Sequence, residues 1–142
     1  MFIGHFIHTL DEKSRIALPA KFRTRLEEGV VMTTGRDKQI LIFAREEFDR
    51  FAIKVDELPL MGIDVDSLRR FVFGNAVEGV PDKQGRVIVS DTLLTHAAIE
   101  REAVLVGVGK FIEMWNPQEW QKAQDEVAAA SAQKQVWAQL GI

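Results

Sequence analysis

A chain of 142 residues with 46% hydrophobic and 27% charged side chains is long enough to bury one core, and its composition excludes disordered, collagenous and membrane-embedded classes. The absence of cysteine removes disulfides, zinc-thiolate and iron-sulfur ligation and thiol nucleophiles, and no apolar run approaches the roughly 18 residues of a membrane span. A net charge of -3 argues against nucleic-acid binding until its distribution is read, because residues 1–25 balance to +3 and residues 26–142 to -6.

Met1 to Leu10 has no basic leader or small-residue cleavage site, so a cytoplasmic location is expected. Phe2 to Leu10 is apolar and Ile16 to Leu18 aliphatic, and the polar residues between them predict a hairpin or a tight strand-turn-strand. Pro19 can open a short helix and Gly29 can end it. Val30 to Thr34 and Ile40 to Phe43 predict a strand pair around Gly35-Arg36-Asp37-Lys38, and Phe48, Phe51, Val55 and Leu58 then recur at helical spacing. Asp64 to Phe73 predicts a linking helix, with Asp64 or Asp66 at its start, Leu68, Phe71 and Val72 on one face, and Gly74 at its end.

The pattern then begins again. Ala76 to Val80 and Val87 to Val89 flank a second turn, and Ser90 is a good N-cap for a helix from Asp91 to Ala98. Ala103 to Val108 pairs with Phe111 to Trp115 around Gly109-Lys110, and Asn116 caps a helix that starts at Pro117 and carries Trp120, Ala123 and Val127 as its stripe. Residues 128–142 are rich in alanine and glutamine and either extend that helix or fray. Asp11 to Leu18 answers Asp82 to Val89 at an offset of 71, Val31 to Thr33 answers Val104 to Val106 at 73, and Phe43, Glu47 and Phe48 answer Trp115, Glu119 and Trp120 at 72. Three matches in one order indicate a duplicated unit. One α+β domain over 1–142 is expected, with repeats at 1–60 and 76–122, a linking helix at 61–75 and a helical tail at 123–142.

Little in the chain supports an enzyme. His5 and His8 are three apart, which puts them on opposite faces of a strand, and His96 stands alone, so no metal or other cofactor is expected. Gly107-Val108-Gly109-Lys110 lacks the remainder of a phosphate-binding loop and reads as a β-turn. Glu46-Glu47 and Asp64/Asp66 are more simply helix N-terminal charges, and neither a Gly-x-Ser-x-Gly elbow nor a tyrosine is present.

The repeated Asp-x-x-x-Arg is more informative. An aspartate opening a turn can accept from amides two residues on, and an arginine four residues later can close the turn, which makes Asp11 and Asp82 structural latches for Arg15 and Arg86. Lys13, Lys21, Arg23 and Arg25 add cations around the first latch, and a rigid turn that presents guanidinium groups suits phosphate oxygens and guanine edges.

These residues carry a resemblance. Met1-Phe2-Ile3-Gly4, His8 to Arg15, Leu18-Pro19-Ala20-Lys21-Phe22-Arg23, Asp82 to Arg86 and Val104 to Trp115 together resemble the MraZ family of bacterial DNA-binding transcriptional regulators, built from two tandem SpoVT-AbrB-type repeats, over about Met1 to Trp120. The resemblance implies a pseudo-symmetric, swapped-hairpin-like β-barrel with flanking helices, a homo-oligomer assembled as a ring, and double-stranded DNA as partner. It further implies binding to direct repeats in the promoter region upstream of cell-division and cell-wall genes, and so a nucleoid-associated protein. By the family pattern Lys13, Arg15, Lys21 and Arg23, joined here by Arg25, would face DNA, with Lys83 and Arg86 as their second-repeat equivalents. Ser14 stands where the motif commonly has glycine, and Ser90-Asp91-Thr92-Leu93-Leu94 replaces Pro-Ala-x-x-Arg, so the second repeat offers fewer cations. A structural or protein-interaction oligomer whose basic turn is only a latch is the alternative reading, and a small hydrolase, lacking a catalytic constellation, is a distant third.

Overall fold

The structure, a computed structural model, describes residues 1–59, 63–129 and 132–141, with the backbone alone given at 63, 64, 128, 129, 132 and 133. Its elements are β1 (His5–Thr9), β2 (Arg15–Ala17), α1 (Ala20–Arg23), β3 (Val30–Thr34), β4 (Ile40–Ala44), α2 (Arg45–Asp56) and α3 (Ile63–Phe73), then β5 (Val77–Gly79), β6 (Arg86–Ile88), α4 (Asp91–Ala97), β7 (Glu102–Gly107), β8 (Ile112–Trp115), α5 (Pro117–Ala129) and α6 (Ala132–Gln139). This is a mixed α+β fold in which every strand pairing is antiparallel.

At Asp11–Arg15 and Asp82–Arg86 the strand-turn-strand holds but the hairpin alternative does not, whereas β3–β4 and β7–β8 pair as expected. β1 pairs instead with β7, Phe6 opposite Leu105, and β5 pairs with β3, Val77 opposite Met32. β2 pairs with β6, Ile16 opposite Val87. Burial decides the choice: Ile16, Met32 and Leu105 are fully buried and Val87 nearly so, which pairing across each turn would not achieve for both halves at once. The six-stranded order β1-β7-β8-β4-β3-β5 reads the same from either end once the halves are exchanged. The described strands close no barrel. β1 and β5 are the free edges of an open sheet, because the three-residue strands β2 and β6 satisfy one another in a separate ribbon and bridge neither edge.

One sheet face, carrying Met32, Ile40, Ile42, Leu105, Ile112 and Met114, packs on the ribbon and on Phe22, Leu26, Leu93 and Ala97 of the two short helical segments. Phe22 sits edge-on between Phe2 and Phe6, at centroid distances of 5.2 and 5.5 Å. The opposite face is covered by α5, where Trp120 and Ala123 meet Val104, Val106 and Trp115, and by α2, where Phe48 and Phe51 meet Phe43.

Local differences from the expected elements have local causes. α1 stops at Arg23 and continues as one 3-10 turn to Leu26, short of Gly29, and Pro19 stands at the N-cap rather than inside the helix, with no capping side chain. α4 is longer: the Ser90 hydroxyl accepts from the Leu93 amide at 3.3 Å, and Ala98 ends it in the left-handed region at φ 54°. Leu58 lies past the end of α2. α3 begins at Ile63, and the expected role of the Asp64 side chain lies outside the described residues. Its predicted stripe is split, with Val72 buried and Leu68 and Phe71 exposed, because the end of the helix is drawn onto β3, where the Thr34 hydroxyl donates to the Phe71 carbonyl at 2.7 Å. The tail holds a second helix, α6, whose Val136 and Trp137 are exposed.

Candidate nucleic-acid interface

The two Asp-x-x-x-Arg turns have the same internal geometry. Asp11 Oδ1 accepts from the amides of Lys13 and Arg15, both at 2.9 Å, and Oδ2 accepts from Arg15 Nε at 2.7 Å. Asp82 Oδ1 accepts from the amides of Gln84 and Arg86, and Oδ2 from Arg86 Nε, all at 2.9 Å. Within each turn a second backbone pair closes the loop, Asp11 N to Arg15 O and Asp82 N to Arg86 O, both 2.9 Å. The carboxyls of Asp11 and Asp82 are held below the ordinary aspartate value of 3.8, chiefly by the backbone amide of the arginine four residues on; desolvation opposes this, and the arginine side chain and the amide two residues on add to the lowering, which prevails.

The ribbon brings these turns together. In β2 and β6 the central pair, Ile16 and Val87, faces the core, so Arg15, Ala17, Arg86 and Ile88 share the outward face. Arg15 lies opposite Ile88 and Arg86 opposite Ala17, which sets the two arginines diagonally across the ribbon. Arg86 Nη1 also reaches Asp11 Oδ2 at 3.7 Å, linking the two turns. Both guanidiniums are tethered at Nε, which orients the planar groups while leaving Nη donors for a ligand. Lys13 and Lys83 are exposed at the turns themselves.

The remaining expected cations are not equivalent to these. Lys21 is exposed on α1. Arg23, half-buried, donates from Nε to the Leu18 carbonyl at 2.8 Å and lies against Gly85 of the second turn. Arg25 places its guanidinium carbon 4.6 Å from the centroid of the Phe2 ring, a cation-π contact within the chain. The fold adds Arg101 to this group: β1 runs beside β7, the Leu10 amide donates to the Arg101 carbonyl at 2.8 Å, and Arg101 joins Lys13, Arg15 and Arg86 in an open cleft of about 670 Å³. Glu12 and Glu100 line the same cleft and dilute its positive charge. No charge count along the chain could have found Arg101, because its proximity depends on the strand pairing.

Other singled-out residues have ordinary partners. The His5 ring lies tilted beside Trp120, with centroids 5.9 Å apart, while His8 Nδ1 lies 2.6 Å from the Ala17 carbonyl, so alternation directs them to different surroundings. His96 Nε2 is 3.0 Å from the Gln39 carbonyl. Gly109-Lys110 occupies a turn closed by the Val108 amide on the Phe111 carbonyl at 3.0 Å, and Gly107 lies so close under the N-terminal segment that a Cβ would stand 2.5 Å from the Ile3 nitrogen. Glu46 and Glu47 occupy the first turn of α2.

Comparison with known proteins agrees with this duplicated design. The family model described as "MraZ protein, putative antitoxin-like" matches twice, at residues 1–71 and 72–140. The chain is 39% identical over 128 residues to the transcriptional regulator MraZ of Herpetosiphon aurantiacus, covering 90% of each chain. It is 38% identical over 122 residues to the protein of that name from Oenococcus oeni, covering 86% of this chain and 85% of the relative. The protein of that name from Roseiflexus sp. is 37% identical over 137 residues, 94% of this chain and 96% of the relative. None of these three names describes an enzyme. Matched along both halves and over nearly the full length of such relatives, the chain belongs to the MraZ family.

Proposed function

We propose that this chain is a sequence-specific, DNA-binding transcriptional regulator whose contact surface is the outward face of the β2–β6 ribbon and its two turns. The observation that carries the reading is the pair of Nε-tethered guanidiniums, Arg15 and Arg86, brought diagonally across one ribbon from two repeats. Planar, pre-oriented guanidiniums suit bidentate recognition of guanine or phosphate, while Lys13, Lys83 and Lys21 supply phosphate contacts around them. The names of the relatives point the same way.

In this reading the repeats 1–60 and 76–122, joined by 61–75 and followed by 123–142, form a swapped-hairpin unit, and copies assemble as a ring. Several weak basic faces then engage direct repeats upstream of cell-division and cell-wall genes, and avidity offsets a net charge of -3 per chain. Such a protein works in the cytoplasm at the nucleoid. The rival reading, an interaction oligomer with no DNA role, draws on exposed Ile3, Ile7 and Val80 along the sheet edges. Titration of the full chain against DNA from upstream of its own operon, beside a shuffled sequence of equal length, separates them. A clear preference for the upstream DNA is expected; equal affinity for both overturns sequence specificity, and no binding at modest salt overturns the DNA reading.

A further inference from the structure

Two equivalent backbone hydrogen bonds lock the ribbon to the turns, and one side chain is added on one side only. The Leu18 amide donates to the Gly85 carbonyl at 2.8 Å, and the corresponding Val89 amide donates to the Ser14 carbonyl at 2.9 Å. Arg23 then donates from Nε to the Leu18 carbonyl at 2.8 Å, building a chain from Arg23 through Leu18 to Gly85. Its side chain fills the space over that glycine, where a Cβ would stand 2.7 Å from Arg23 Cδ and 2.9 Å from Cζ. At the offset of 71 the second-repeat counterpart of Arg23 is Leu94, which packs against the core and has no donor to offer.

The turn that receives the brace also carries the conformationally freer residue. Gly85 adopts φ 74° with the freedom of a residue lacking Cβ, whereas Ser14 holds φ 57° with a side chain that restricts it. From this asymmetry we infer that Arg23 is a positioning residue, reaching from the first repeat to fix the second turn so that Lys83 and Arg86 stand on the face that carries Arg15. It is not a phosphate contact in its own right. This inference rests on the ribbon being the DNA-binding face.

The test combines DNA titration with amide hydrogen exchange on the full chain. Lys83→Ala and Lys13→Ala are each measured alone and together with Arg23→Ala. Lys83→Ala is expected to weaken binding about 3- to 10-fold in the unaltered background and less than about twofold once Arg23 is gone, while the effect of Lys13→Ala is the same in both. Additive losses at both lysines are what an independent phosphate contact produces, and they overturn the inference. Without DNA, Arg23→Ala should speed exchange at Gln84, Gly85 and Arg86 and leave Lys13, Ser14 and Arg15 unchanged; equal acceleration of both turns, or none, also overturns it. If the second turn alone loosens while the unaltered chain binds no DNA, the brace stands and the DNA reading falls. Should Arg23→Ala not fold, Arg23→Met keeps the stem over Gly85, removes the donor and the charge, and is read in the same way.

Discussion

The turns Asp11–Arg15 and Asp82–Arg86 start from the same local chemistry and end in different surroundings. Each aspartate gathers two amides and one guanidinium, and the arginines are almost equally exposed, at 28% and 29%. Around that shared frame the first turn carries Ser14 and its lysine at the third position, and the second carries Gly85 and its lysine at the second. The first is followed by a short helix with Lys21 and Arg23, the second by a serine-capped helix that begins with Asp91. Duplication therefore preserved the device that aims an arginine and let the charges and braces around it diverge, which is how one chain can present two related but unequal contacts.

The largest expected effect tests what the turns share. Arg15→Ala and Arg86→Ala should each cost about 1–3 kcal/mol of binding to preferred DNA per subunit, multiplied in an oligomer that engages several sites, and each should relax sequence preference. Titration against upstream and shuffled DNA measures this, and a melting curve must accompany it because both arginines also close their turns. Loss confined to Arg15 would break the equivalence of the two turns.

Next comes the position at which they differ most. Gly85→Ala places a Cβ at φ 74° and into the space of the Arg23 side chain, and should destabilise the chain by about 1–3 kcal/mol in denaturant unfolding. Ser14→Gly reverses the asymmetry from the other side. It relieves a left-handed serine at φ 57° and should stabilise by at most about 1 kcal/mol, since the glycine also loosens the unfolded chain. Effects of the same sign at both positions would show that the left-handed backbone the two turns share does not set their preference for glycine.

The smallest expected effect is the pH dependence of the latches. Both carboxyls are held below 3.8 in the folded chain, so the fold favours their ionised forms. Their contribution is complete at neutral pH and is lost as the pH falls below 3.8 through the lowered folded values. Thermal melts from about pH 6 to about pH 2 should show a shallower acid loss in Asp11→Asn and Asp82→Asn than in the unaltered chain, by similar amounts in each. A loss of slope in only one variant would mean that the matched geometry conceals unequal electrostatics.

Much of this molecule was legible in its residues. Asp11 and Asp82 announce their turns because the chemistry acts over four residues, Ser90 and Asn116 announce helix starts for the same reason, and the 71-residue offset announces the duplication. Such signals are local, and local hydrogen bonds depend little on the remainder of the chain. The partners of the strands were not legible. Phe6 alternates as well beside β2 as beside Leu105 of β7, and only simultaneous burial of both halves selects the exchange and leaves the sheet open rather than closed. The same exchange brings Arg101 to the cleft, lays Arg23 over Gly85 and sets Arg86 within 3.7 Å of Asp11. Turns and caps are set within a few residues and the duplication shows as a recurring pattern, so all three can be read along the chain; which charges share a surface depends on contacts between residues some seventy positions apart, and only the folded chain settles it.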